Sequence, residues 1–334
     1  MSEPAFEEGS APLHGMSALV IGAGLDDEAQ ALLDRHGLKT IYVSAYASPE
    51  EIVHLVERNK VDAIIARRGA VDARVIDASP RLRVISKHGT GVDGIDLAAA
   101  SSRGIPVLRA LAANAQSVAE FAISLAVAGL KDLHLLDQAV KSGRWPTEGY
   151  KGRDMAGASI GLIGYGEIGR RVAGFARALG MSVCVHSPRL DPQALSSAIA
   201  YKKDLGELLS SSDIVSLHCP LTEDTRHLLD ERRIGMMRAG SFLVNTARGA
   251  LVDENALIRA LRDGPIAGAA LDCFEEEPLP ADHPLRALPN VILTPHAAGT
   301  SRGAIRNMGI QSVNNVLDVL LGREINKKAL AVEI

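Results

Sequence analysis

"SIGLIGYGEIGRRVA", residues 159–173, decides the fold of this 334-residue chain. Its first six residues are a short apolar run of the kind that forms a buried β-strand. Glycines stand at G-x-G-x-x-G spacing, at positions 164, 166 and 169. Beyond them Ile168, Val172, Ala176 and Leu179 recur on one face of a helix. Strand, glycine turn and amphipathic helix, in that order, make the front of a dinucleotide-binding unit. The glycines permit a tight turn, close approach of backbone to phosphate and close helix packing, and the helix N-terminus faces the negative charge. The triplet by itself is weak, because a ligand-free glycine turn has the same letters; its context carries it. An earlier "GAG" at 22–24 has Asp27 where a third glycine would fall, so no dinucleotide is expected there.

The same alternation runs outward in both directions. Downstream, "SVCVH" (182–186), "DIVSLH" (213–218), "SFLVN" (241–245), "GAALD" (268–272) and "VILT" (291–294) read as strands separated by helices. Upstream, "ALVIG" (18–22), "TIYV" (40–43), "AIIA" (63–66), "RVIS" (83–86) and "IPVL" (105–108) form a second series. Ser48, Pro49 and Glu51 make a capping box with Pro at the first helical position. One long helix is expected over 114–141, as the connector of the two series. Strand–helix alternation implies parallel, doubly wound sheets. The expected fold is therefore α/β with two doubly wound domains. A Rossmann cofactor-binding domain, 111–301, is inserted into a flavodoxin-like substrate-binding domain made of 1–110 and 302–334, with 1–15 a flexible tail. The last amphipathic segment, 304–322, is expected to return to the first domain.

Composition excludes several classes. Net charge is −4, aromatic residues are 3%, and the arginine pairs are scattered. That argues against a nucleic-acid surface, which needs a basic face or stacking platforms. The longest apolar run, 121–130, is too short to cross a bilayer, so no membrane partner is expected. The first fifteen residues lack the basic start and apolar run of a signal peptide. Cys184, Cys219 and Cys273 lie far apart with no C-x-x-C. A reduced, cytoplasmic chain with no disulfide frame and no metal site is expected.

Three ionisable residues each follow an apolar strand: Arg248, Glu277 and His296. In a parallel sheet the strand ends gather at the edge where the glycine turn also lies. Arginine can fork onto a carboxylate and polarise a carbonyl. Histidine can supply the proton that accompanies a hydride, and a nearby carboxylate fixes its tautomer. Together they make a set for hydride transfer to a 2-oxo acid. Singly, each has a plainer reading: a loop histidine, a surface arginine, a solvated acidic turn at 275–277. The conjunction carries the argument. At the end of the second strand, Ser187 stands where a ribose-binding acid is expected, and Arg189 follows. Loss of that carboxylate removes repulsion of a 2′-phosphate, and an arginine can pair with it. NADP(H) is thus the favoured cofactor and NAD(H) the alternative; the opposing reading leaves Arg189 a solvated surface residue.

The motifs "KHGTGVDGIDL" (87–97), "NAQSVAEFA" (114–122), "GLIGYGEIGRRVA" (161–173), "HCPLTEDTRHLL" (218–229), "VNTARGALVDENAL" (244–257), "ALDCFEEEPLP" (270–280) and "LTPHAAG" (293–299) resemble the D-isomer-specific 2-hydroxyacid dehydrogenase family over about 18–325. The resemblance implies that Arg248 anchors the substrate, that Glu277, directly before Pro278, partners His296, and that His296 gives and takes the proton. It places Gly164, Gly166, Glu167, Ile168 and Gly169 at the pyrophosphate. Ser187, Arg189, Cys219, Pro220, Thr225, Thr246, Ala247, Arg248, Asp272, His296 and Gly299 become the remaining cofactor contacts. In the first domain it assigns the amides of Gly89, Thr90 and Gly91 to the substrate carboxylate, with Asn114 close by. Arg67, Arg68 and Gly69 fall near a second substrate loop.

The implied activity is reduction of small 2-oxo acids to D-2-hydroxy acids, glyoxylate or hydroxypyruvate first, by a homodimer joined through the 114–141 region. The alternatives are phosphoglycerate dehydrogenase-like or phosphite-type oxidation, and a cofactor-sensing, corepressor-like binding protein. Several positions depart from the family pattern. Ser187 replaces the usual acid, and Gln116 stands where glutamate is frequent. The chain leaves no room for the regulatory domain of many phosphoglycerate dehydrogenases, so feedback control by serine is not expected. Formate dehydrogenases carry glutamine as the histidine's partner, and Glu277 counts against that branch.

Overall fold

A computed structural model of the protein describes residues 12–332. The chain divides into two compact units, residues 1–114 with 301–334, and residues 115–300.

The first unit is built on five parallel strands: β1 (Ser17–Ile21), β2 (Lys39–Val43), β3 (Ala63–Ala66), β4 (Val84–Lys87) and β5 (Val107–Arg109), in the order β2-β1-β3-β4-β5. Strands β1 and β3 are buried at every residue, as expected of a parallel sheet covered on both faces. Helices α1 (Asp27–Arg35), α2 (Pro49–Asn59), α3 (Ala73–Asp77) and α4 (Leu97–Ser102) lie between successive strands. Ser48 accepts from the Glu51 amide at 3.1 Å, and Asp26, Asp72 and Asp96 cap the other three. The C-terminal helix, Arg302–Leu320, buries Val313, Val316, Leu317 and Leu320 in the same cluster as Val20, Ile65 and Val84.

Leu13 joins that cluster at 1% exposure, and its amide donates to His36 O at 3.1 Å. Residues 12–15 are therefore a packed turn rather than part of a loose tail: one apolar side chain among polar neighbours is enough to anchor it. The rest of the expected tail, 1–11, lies outside the described residues.

The second unit carries seven parallel strands: β6 (Ser159–Ile163), β7 (Ser182–His186), β8 (Ile199–Tyr201), β9 (Ile214–Leu217), β10 (Phe242–Asn245), β11 (Gly268–Leu271) and β12 (Val291–Leu293). Their order is β12-β11-β10-β9-β6-β7-β8. The direction of winding reverses between β6 and β9, which opens a crevice at their carboxyl ends. Its helices are α5 (Ala115–Leu130), α6 (Leu133–Lys141), α7 (Glu167–Ala178), α8 (Leu205–Ser211), α9 (Glu231–Gly235) and α10 (Glu254–Asp263). Ala119, Ala122 and Ala126 of α5 share a core with Val172, Ala173 and Ala176 of α7; small side chains let the two helices approach closely.

Two expectations change here. The single helix over 114–141 is two helices, because Asp132 takes a left-handed conformation (φ 48°) that α-helix cannot continue. Both halves belong to the second unit. Strand β8 was not anticipated: it is three residues long at the sheet edge, too short for any periodicity to show.

Candidate active site

The three glycines after β6 have different physical reasons. Gly164 sits at φ +97°, and a Cβ there would lie 2.6 Å from the carbonyl carbon of His218, beside β9. A Cβ on Gly169 would run into the carbonyl oxygen of Gly164. Both are demanded by packing within the protein. Gly166 is different, since nothing lies within 4 Å of where its Cβ would be. It is also the N-cap of α7, with no side chain capping the helix. This open cradle before a helix N-terminus fits an anionic pyrophosphate. Glu167 in the first turn pairs with Arg171 at 2.7 Å, and Ile168 packs into the core.

Further along the same strand ends, the candidate cofactor residues gather. Ser187 and the exposed Arg189 follow β7. Strand β8 pairs with β7 in register, Val185 opposite Tyr201, so Lys202 and Lys203 emerge next to His186 and Ser187. Lys202 is paired with Glu207 at 3.6 Å. Cys219 follows β9, and burial pushes its thiol up to about 11, so it remains a neutral thiol. Thr225 accepts from the Thr222 amide at 2.7 Å and donates to Pro220 O at 2.8 Å, which fixes the turn after Cys219. The buried Thr246 hydroxyl has no hydrogen-bond partner among the described residues. An orphaned buried hydroxyl is costly, and it fits a polar group of a bound ligand at the end of β10.

Strand β10 ends at Asn245, whose side chain shapes the turn carrying Arg248. Its Oδ1 accepts from the Ala247 amide at 3.0 Å and its Nδ2 donates to Arg248 O at 2.8 Å. The guanidinium also donates to Ala247 O at 2.6 Å. The motif at 244–257 shows no role for Asn245 by itself; its place at a strand end is the signal in the sequence.

Strand β11 supplies two carboxylates. Asp272, 1% exposed, accepts from Thr294 Oγ1 at 2.6 Å and the Ala297 amide at 2.8 Å through one oxygen, and from the Ala298 amide at 2.9 Å through the other. It binds down both sides of His296. Ser117 adds a bond to Ala298 O at 2.7 Å. Glu277, joined to Pro278 by a cis peptide, accepts from the Phe274 amide at 3.0 Å. It then meets Nδ1 of His296 at 2.8 and 3.1 Å. A carboxylate only accepts, so Nδ1 carries the hydrogen and Nε2 is left for exchange of a proton. His296 is held at φ 54°, a conformation that costs a non-glycine residue and persists only where its surroundings impose it. Gly299 follows two residues after Ala297.

Between these residues, Cys273 is buried, and its thiol is pushed up by burial and by the charges of Asp272 and Glu277, against the pull of Arg248. Arg248 and Glu277 thus both act on one buried sulfur. The structure brings Arg248, Glu277 and His296 to the carboxyl edge of the sheet that bears the glycine turn.

The substrate-loop candidates belong to the other unit and are placed there as follows. Arg67 is spent on the carbonyls of Ala23 and Gly24, whereas Arg68 is exposed. Gly69, at φ +85°, and Gly89, at φ +138°, occupy conformations that favour glycine. The loops holding them are tied together, with the Val71 amide donating to Gly94 O at 2.8 Å and the Asp96 amide to Val71 O at 2.9 Å. Thr90 and Gly91 lie on the second of these loops, and Asn114 closes this part of the unit.

Residues 123–298 match the family model of the D-isomer specific 2-hydroxyacid dehydrogenase NAD binding domain. A glyoxylate reductase of Thermofilum pendens is 38% identical over 295 residues, covering 85% of this chain and 86% of its own. D-3-phosphoglycerate dehydrogenase of Archaeoglobus fulgidus is 36% identical over 305 residues, 91% of this chain. The match spans only 57% of that relative's length. A crystal structure of a Thermus thermophilus protein superposes with a TM-score of 0.86 at 36% identity, covering 94% of this chain and all of the other. With the glycine cradle and the Arg–Glu–His set in place, the chain belongs to the D-isomer-specific 2-hydroxyacid dehydrogenase family.

Proposed function

We propose that this protein reduces small 2-oxo acids to D-2-hydroxy acids, with NADPH preferred and glyoxylate or hydroxypyruvate as substrate. The observation that carries the reading is the His296–Glu277 pair, 2.8 Å apart, on the strand edge that also holds Arg248 and the glycine cradle. The similarity to a protein named glyoxylate reductase supports the substrate class.

In this reading the amides of α7 and the cradle at Gly166 hold the pyrophosphate, and the Thr246 hydroxyl finds its partner on the bound coenzyme. When bound there, the nicotinamide coenzyme would supply the hydride for the carbonyl carbon. The Arg248 guanidinium forks onto the substrate carboxylate and polarises the carbonyl. His296 delivers a proton from Nε2 to the carbonyl oxygen, and Glu277 stabilises the imidazolium through Nδ1. Arg68 and the Gly89–Gly91 turn of the other unit are kept as proposed substrate-loop residues. The preference for NADPH rests on Ser187 in place of an acid, with Arg189 and Lys203 beside it.

Leu133, Val140 and Trp145, on and just after α6, are exposed at 50%, 50% and 76%, and these apolar side chains support the reading of a homodimer joined there. Sedimentation of the pure protein as a monomer would remove that part. The reading as a whole is tested with glyoxylate, hydroxypyruvate, pyruvate, phenylpyruvate and 3-phosphohydroxypyruvate, each with NADH and NADPH. Turnover fastest with glyoxylate or hydroxypyruvate and NADPH is expected. Binding of NADPH without oxidation by any of the five would make the protein a coenzyme sensor instead.

A further inference from the structure

We propose that Glu254 is a positioning residue for the reaction: paired with His283, it holds the loop that carries Glu277 and so orients His296. The inference rests on the roles given above to Glu277 and His296.

Glu254 is the first residue of α10 and is 8% exposed. The helix does not need it as a cap, because the Asp253 side chain already accepts from the Ala256 amide at 2.9 Å. Glu254 turns inward instead. Its Oε1 accepts from the Glu275 amide at 2.8 Å, and its Oε2 lies 3.3 Å from His283 Nε2. Two residues beyond Glu275, the Glu277 carboxylate accepts from the Phe274 amide at 3.0 Å while facing His296. The adjacent amides of Phe274 and Glu275 are thus each fixed by a different carboxylate. Gly249 completes the junction. A Cβ there would occupy the place of the Phe274 carbonyl and the Glu275 amide, so the turn after Arg248 lies directly against the same two residues.

A carboxylate taken out of water is costly unless it is hydrogen-bonded and paired. Burial raises the Glu254 carboxyl, as do the charges of Glu275 and Glu277, while the Glu275 amide and His283 lower it. Glu275 itself faces outward to His227 at 3.0 Å. A chain that only needed to close this loop could do so with an apolar side chain. The buried Glu254–His283 pair adds direction: it fixes the Glu275 amide at one point, two residues before the carboxylate that must meet an imidazole.

The experiment is a double-mutant cycle between Glu254 and His296, read as kcat with glyoxylate and NADPH. Glu254→Ala is expected to lower kcat roughly 10- to 100-fold, the cost of a small misplacement of a reacting group, with KM for NADPH unchanged. In a His296→Ala background it should add no further loss, since groups acting as one unit are not additive. Glu254→Gln keeps an acceptor for the Glu275 amide and should restore most of kcat. Glu254→Asp is too short to reach and should behave as the alanine variant does; if Glu254→Ala does not fold, the aspartate and glutamine variants carry the same comparison. Wild-type kcat in Glu254→Ala or Glu254→Asp, or a loss that multiplies in full on that of His296→Ala, overturns the proposal. Wild-type turnover by His296→Ala alone would instead overturn the reading on which it rests.

Discussion

The Glu277 carboxylate lies 2.8 Å from Nδ1 of His296, nineteen positions further along the chain. The pair is held because two separate strand-end loops are each tied down, one by Asp272 and Ser117, the other through the Phe274 and Glu275 amides. Pre-set geometry of this kind lets a histidine exchange protons without first paying to reorganise its partner.

Replacement of that histidine is the first prediction. His296→Ala lowers kcat by about 10²- to 10⁴-fold and leaves the dissociation constant for NADPH near that of the wild type. Reduction needs the imidazolium and oxidation the neutral ring, so the two directions have different pH optima. Steady-state rates in both directions, against pH, check both statements; coincident optima contradict the assignment.

Coenzyme choice is the second. If NADPH is the coenzyme as proposed, Arg189→Ala combined with Ser187→Asp removes a charge-assisted bond to its 2′-phosphate and adds a repelling carboxylate. A bond of that type is worth about 1.5–3 kcal/mol, so the ratio of kcat/KM for NADPH to that for NADH falls on the order of 10- to 100-fold. An unchanged ratio would show Arg189 to be a solvated surface residue.

The glycines offer a third, because their reasons differ. Gly169→Ala places a methyl group against the Gly164 carbonyl and lowers stability by about 1–3 kcal/mol, seen in denaturant unfolding. Gly166→Ala points into open space, leaves stability unchanged, and weakens coenzyme binding on the order of 10-fold. Equal effects of the two substitutions on stability would contradict the distinction.

Stability against pH is the fourth. His88 is 6% exposed, its Nε2 is buried without a partner among the described residues, and burial together with Arg67 and Lys87 pushes it down to about 4 from 6.5. A histidine whose folded pKa is depressed must stay neutral in the folded state. Its contribution is present above pH 6.5 and is lost progressively as the pH falls toward 4. His88→Gln should therefore flatten the fall in unfolding free energy between pH 7 and pH 5; a slope equal to that of the wild type counts against it.

Most strands were legible because a parallel sheet buried on both faces writes itself as short continuous apolar runs, as in AIIA at 63–66. Strand β8 was not, since three edge residues carry no period. The break at Asp132 was hidden because an aspartate in mid-pattern reads as an exposed helical residue, and only its left-handed backbone reveals the turn. Leu13 looked like one apolar residue in a polar tail until its core neighbours were assembled from distant segments.

Sequence alone determined that a strand, a glycine turn and a helix follow one another at 159–173, and that an arginine, a glutamate and a histidine come after later strands. Those are properties of neighbours along the chain, where steric demands and periodicity act locally. Glu277 was matched to His296 through the family resemblance, whereas the turn of Glu275 to His227 was decided only in the folded chain. The work of Glu254 and Asp272 emerged there too, because a side chain's hydrogen-bond partners are set by elements far apart in sequence that meet only when the sheet is complete.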